Sequence, residues 1–226
     1  RVVLGNSAGI VESCISSAGG VAQHYPLVGV FDIPFAFPNI AVATRVIDSD
    51  SSFGKKFIGD LEAKTGLKVA GMIDSGGFFA FTNNSRPIKT VEDMKGLKIR
   101  TMTLPTHEAM ISSLGGQPTP LPWAEVYTAL QTGLVDGQEN PIETIYASKF
   151  YEVQKAVAMV DYIDKPAYVM IGDPFWSKLS DADKALFNKA MEASTALVAE
   201  MLPKQQATNA RLTTTGKIRK VLAISN

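Results

Sequence analysis

Short apolar runs alternate with amphipathic stretches along this chain, the pattern of an α/β fold. Residues 10–16 read as a short strand, followed by the small-residue loop Ser17-Ala18-Gly19-Gly20. Residues 28–35 are apolar and broken by Pro34. Residues 41–48 read as helix, and Phe53, Phe57, Ile58 and Leu61 mark one face of a helix over 53–64 that Gly66 stops. Leu67, Val69 and Gly71 then alternate with Lys68 and Ala70, as a half-buried strand does.

Further on, residues 78–82, 97–102, 156–162 and 167–171 are predicted strands, and 106–114, 123–132 and 142–149 predicted helices. Asn83-Asn84-Ser85-Arg86-Pro87 is a turn or crossing segment. Thr90 to Asp93 looks like an N-cap with an acidic first turn, leading into a helix cut short by Gly96. Pro118, Pro120 and Pro122 stiffen a loop, and residues 135–141 form a short extended piece and turn. Ser180 to Asp183 resembles a capping box. After it, Leu186, Phe187, Ala190, Met191, Leu197, Val198 and Met201 keep a 3.6-residue spacing, with Ser194 on the same stripe. That helix runs to about Leu202, where Pro203 kinks or ends it, and about 20 residues of helix reach about 30 Å. Strands and helices repeat on both sides of the Asn83–Pro87 turn, which predicts two α/β lobes with a ligand cleft between them and the long helix lying across both.

Composition narrows the function classes. Of 226 residues 46% are apolar and 19% charged, ordinary for a folded chain. Lys plus Arg equals Asp plus Glu at 22 each, so the net charge gives no general reason to coat nucleic acid or an anionic membrane. A single cysteine, Cys14, excludes an internal disulfide and a Cys-rich zinc site, and the two histidines limit metal and general-base chemistry. No cofactor or metal site is expected. No apolar run reaches the length of a membrane span. Arg1-Val2-Val3-Leu4 lacks the basic and apolar regions of a signal peptide.

Gly5-Asn6-Ser7-Ala8-Gly9 matches the short Gly-x-Ser-x-Gly nucleophile pattern of serine hydrolases. A hydrolase would need an Asp and then a His downstream; His107 is the last histidine, with more than 100 residues following it, and the plainer reading is a Gly-bracketed turn before a strand. Arg100 shares a strand face with Lys98, opposite Leu97, Ile99 and Thr101. It could grip a carboxylate by two parallel hydrogen bonds, or form an internal salt bridge, or lie on a solvated face. Trp123, at a helix start behind the proline-rich loop, suits either the core or a platform under a ligand's carbon skeleton. Asn140 offers donor and acceptor for orienting an acid, or a helix cap. His24 and His107 read as structural or surface residues, and Cys14 as a buried small hydrophobe.

Five segments resemble a known family in order and spacing: residues 29–35 (GVFDIPF), 95–100 (KGLKIR), 121–131 (LPWAEVYTALQ), 135–141 (VDGQENP) and 149–155 (KFYEVQK). Together they look like the DctP-type solute-binding proteins of TRAP (tripartite ATP-independent periplasmic) transporters, over residues 9–205. The resemblance implies a two-lobe fold of the periplasmic-binding-protein type II class, lobe one being residues 1–77 plus about 166–205 and lobe two 78–165 plus about 206–226. It implies a periplasmic, monomeric, non-enzymatic receptor that captures a small organic acid and delivers it to TRAP permease subunits; a sensing receptor of the same fold is the alternative. Arg100 maps to the family's carboxylate-gripping arginine and Asn140 to its orienting asparagine. Trp123, Ser17, Phe79 and Thr103 complete the implied ligand-contacting set. Residues 76–81 (GGFFAF) lack the second arginine many members carry, which disfavours ligands needing two cationic contacts, such as a sialic acid. Family members begin about 70 residues earlier, signal peptide included, so the sequence is expected to be a piece or a processed form.

Overall fold

The computed structural model describes residues 2–201 and 220–223. The chain divides into two units, Arg1–Phe31, Ala36–Ser75 and Asp164–Leu202 against Asp32–Phe35, Gly76–Ile163 and Pro203–Asn226. The first unit begins with α1 (Val2–Ser7), β1 (Ser13–Ser17), α2 (Ala18–Val21), α3 (Ile40–Ile47), α4 (Ser52–Thr65) and β2 (Lys68–Asp74). The second follows with β3 (Phe79–Asn83), β4 (Lys98–Thr101), α5 (Pro105–Ser113), β5 (Gln117–Pro120), α6 (Val126–Thr132), β6 (Gly137–Pro141), α7 (Ile142–Ala147) and β7 (Ala156–Met159). The chain returns to the first unit for β8 (Pro166–Ile171), α8 (Asp173–Trp176) and α9 (Asp181–Met201), and β9 (Lys220–Ala223) belongs to the second. Among the described residues no helix is long and apolar enough to cross a membrane.

The first unit folds around a three-stranded antiparallel sheet in the order β1-β8-β2. Its helices start and stop where the sequence supplies caps. Asn39 Oδ1 accepts from Val42 N ahead of α3, Ser51 Oγ accepts from Gly54 N ahead of α4, and Gly66 ends α4 with φ +68°. Phe57 from α4 meets Phe31 edge-on at 5.3 Å and Tyr168 of β8 at 6.4 Å, forming an aromatic core.

Three expectations are corrected here. Gly5-Asn6-Ser7 lies in α1, not in a turn: Asn6 is buried and donates to Val11 O and Glu12 O, folding the helix end onto the strand entry. The first strand therefore starts only at Ser13. The small residues after Ser17 form α2 rather than a loop. Cys14 is half-buried. On α9 Ser180 caps the helix start: its Oγ accepts from Asp183 N and donates to Asp183 Oδ2, side chain to side chain. The buried side of that helix is narrower than the apolar stripe: Phe187, Met191, Thr195 and Val198 are half-buried, whereas Leu186 and Leu197 are exposed. The expectations for Pro203 and for residues 206–219 lie outside the described residues.

The second unit holds a six-stranded mixed sheet in the order β5-β4-β6-β3-β7-β9. All five residues of β3 are buried because both faces are covered. Phe79 and Phe81 enter one hydrophobic cluster with Ile99 and Ile111, and Ala80 enters another with Val126, Leu130 and Val157. Two strands differ from the sequence reading. The proline loop contains β5, paired in parallel with β4; prolines fit there because β5 is an edge strand. The piece read as extended chain and turn is β6, a central strand between β4 and β3. Gly137 is required in it, since a Cβ there would lie 2.0 Å from Thr82 O.

Candidate ligand site

The parallel register β4–β6 pairs Arg100 with Gln138, so Arg100, Gln138 and, two positions on, Asn140 project from one face of the sheet. Glu139, between them, projects from the other. Alternation along a single strand thus separates two groups of polar side chains.

On the first face, Arg100 is only 3% exposed. Its Nε and Nη2 donate to the carbonyl oxygen of Leu121, just past β5, at 3.0 and 2.7 Å. Its guanidinium lies over the indole of Trp123, 5.8 Å from the ring centroid, and Trp123 leans on Phe150 at 5.6 Å. The proline-stiffened chain from β5 to Trp123 therefore fixes both the carbonyl that aims Arg100 and the ring beneath it. Burial pulls the guanidinium down to about 10, with the negative charge of Glu139 opposing, so Arg100 is charged at neutral pH. Among the described residues no carboxylate stands within salt-bridge distance of it.

Beside Arg100 runs a relay of neutral groups. Asn140 Nδ2 donates to Gln138 Oε1, Gln138 Nε2 to Thr82 Oγ1 (2.9 Å), and Thr82 Oγ1 to Gln154 Oε1 (2.8 Å). Each group's donor direction sets the next, so the relay fixes which way the half-buried Asn140 amide points.

The opposite face carries charge. His107 of α5 is fully buried, with Nε2 2.9 Å from Asp32 Oδ1 and Nδ1 3.0 Å from Glu139 Oε1. Thr106 Oγ1 donates to Asp32 Oδ2 at 3.1 Å, and Tyr162 OH to Glu139 Oε2 at 2.9 Å. Burial, and then the Glu139 charge, hold the Tyr162 phenol well above its ordinary range. Sequence reading missed this network. His107 and Asp32 lie 75 residues apart, and no local spacing links them.

Of the six residues expected to contact ligand, Arg100 and Trp123 touch and Asn140 joins them on the same face. Phe79 is 4% exposed and packed in the core on the opposite face, with Phe81 and Ile99. Thr103 is exposed in the turn between β4 and α5. Ser17 is exposed at the end of β1 in the first unit. Ser7, the nucleophile of the hydrolase reading, donates its hydroxyl to Val3 O within α1. A separate cavity of about 560 Å³ lies within the first unit between α3, β2 and α9, walled by Ile47, Met72, Met191 and Asp74. None of the six lines it.

The chain is similar to known proteins over most of its length. The chain is 36% identical over 193 residues to the 2,3-diketo-L-gulonate-binding periplasmic protein YiaO of Escherichia coli, covering 85% of this chain and 58% of that protein. It is 33% identical over 187 residues to the ectoine-binding periplasmic protein TeaA of Halomonas elongata, covering 82% and 54% respectively. The chain thus spans little more than half the length of these relatives. A TRAP periplasmic solute-binding protein from Polaromonas, solved bound to D-erythronate, superposes with a TM-score of 0.91 at 32% identity, covering 99% of this chain and 72% of that one. The sequence profile of bacterial extracellular solute-binding protein family 7, DctP, matches residues 4–219, and the chain belongs to that family.

Proposed function

We propose that this chain forms the ligand-capturing part of a periplasmic TRAP solute-binding protein, which takes up a small organic acid and hands it to a membrane permease. The reading rests on Arg100. A buried guanidinium is held by one backbone carbonyl through its Nε–Nη2 edge, which leaves the end-on Nη1–Nη2 pair to receive a carboxylate by two charge-assisted hydrogen bonds. A carboxylate there would offset the cost of burying the charge. Trp123, half exposed, supplies apolar area beside it, and the oriented Asn140 amide a directional contact. The names of the relatives point to the ligand class. YiaO is named for a sugar acid, TeaA for ectoine, and the Polaromonas protein was solved with D-erythronate.

The test is a thermal-shift screen against small sugar acids and other carboxylates, with Arg100→Ala in parallel. A ligand at about 100 times its Kd stabilises the folded state by about 2.7 kcal/mol, a shift of a few degrees. Arg100→Ala is expected to lose about 2–5 kcal/mol of binding, abolishing the shift. Arg100→Lys is expected to lose most of it, because an ammonium reproduces neither the tie to Leu121 nor the two-pronged contact. Unchanged affinity in Arg100→Lys would refute the two-pronged grip.

A further inference from the structure

The charged network on the opposite face has no evident part in gripping a ligand, yet it is built around Glu139, the residue directly before Asn140. Asp32, His107 and Glu139 are each at most 3% exposed. Both ring nitrogens of His107 stand about as close to carboxylate oxygens as hydrogen-bonded pairs do, at 2.9 and 3.0 Å. A neutral imidazole carries one N–H and one lone pair. In the neutral form one unprotonated ring nitrogen would stand beside a carboxylate oxygen at that distance. An imidazolium presents N–H at both positions.

The charges then add up simply. Asp32 and Glu139 contribute two negative charges, and His107 and Arg100 two positive ones, so the group is neutral as a whole. Take the proton from His107, and two buried carboxylates share one cation, Arg100, whose charge already senses Glu139. Its attraction for a further carboxylate would fall. Around the ring's partners, Thr106 donates its hydroxyl to Asp32 and Tyr162 donates its hydroxyl to Glu139, and both are neutral donors.

We propose that His107 is a positioning residue that stays doubly protonated between Asp32 and Glu139, and that by engaging Glu139 on one face of the sheet it keeps the Arg100 charge available to a ligand carboxylate on the other. The proposal rests on Arg100 being the carboxylate anchor.

Nitrogen-15 histidine NMR of the wild-type protein tests the first half without any substitution. The sequence has two histidines, and His24→Gln assigns the signals. His107 should show both ring nitrogens protonated from pH 6 to pH 8; the signature of a single neutral tautomer at pH 7 would overturn the proposal. Titration calorimetry with D-erythronate tests the second half. His107→Gln should weaken binding at least tenfold, and adding Glu139→Gln to that variant should recover most of the loss, because it removes the charge that competes for Arg100. A merely structural role predicts the reverse, since the double variant loses more packing and hydrogen bonding than the single one. A double variant no better than the single, or full affinity in His107→Gln, would refute the proposal. A wild-type protein that binds no sugar acid would strike at the ligand class, whereas a neutral His107 would strike at this inference.

Discussion

Each unit buries a pair of acidic side chains, and the two pairs are neutralised differently. In the second unit Asp32 and Glu139 sit on either side of His107, whose ring separates them and meets each. In the first unit Asp74 and Asp164 face each other, both buried, beside the buried Lys165. Burial, and then Asp74, push the Asp164 carboxyl up to about 8, with Lys165 pulling the other way. One pair is therefore balanced by a cation between its members, the other by retaining a proton on one carboxyl. A base inserted between two acids keeps both charges and ties β6, which carries Glu139, to the helical turn that ends at Asp32. Two acids in direct contact cannot both ionise, and so remain sensitive to pH.

Substitutions sharpen this contrast. The largest effect is expected from His107→Ala, which leaves two buried carboxylates without their cation and should cost about 3–5 kcal/mol in chemical denaturation at pH 7. A loss below 1 kcal/mol would mean that the two acids do not depend on the ring. Next comes Asp164→Asn. The folded state holds the Asp164 proton between about pH 4 and pH 8 while the unfolded chain releases it, so wild-type stability should fall as pH rises across that window. The amide cannot ionise, so the variant should lose this slope and gain on wild type by on the order of a few kcal/mol toward pH 8. Parallel stability curves for the two proteins would break the comparison. The smallest effect belongs to the uncharged relay. Thr82→Val interrupts it between Gln138 and Gln154 and should cost about 1 kcal/mol, independent of pH.

The sequence shows the regular elements and the proposed contact residue Arg100 more clearly than the polar interior. The helix over 52–65 is legible because Phe57 and Leu61 lie on one face between a serine cap and a glycine stop. Arg100 is legible because the motif around it is local. The strand Gly137–Pro141 is not, since Gly, Gln, Glu, Asn and Pro all have poor strand propensity; it is a strand because neighbours on both sides pair with it and Gln138 bonds to Thr82. The acid–histidine network is not legible either. Its members come from four separate parts of the chain, with Glu139 and Tyr162 23 residues apart, and no periodicity links them. The burial of Phe79 follows from β3 being a central strand covered on both faces, which the local pattern of residues 79–83 does not reveal.

The prolines of β5 bear on how this protein behaves when crowded. Gln117 N donates inward to Leu97 O and Leu121 N to Thr101 O, so the odd-numbered amides of this stretch point toward β4. The even-numbered amides would point outward, and those positions are Pro118 and Pro120, which have no N–H to offer. The open border of the six-stranded sheet is thereby stripped of the donors that another strand would need in order to zip onto it. The segment that fixes Leu121 and Trp123 beside Arg100 thus also blocks the sheet from templating aggregation along that border.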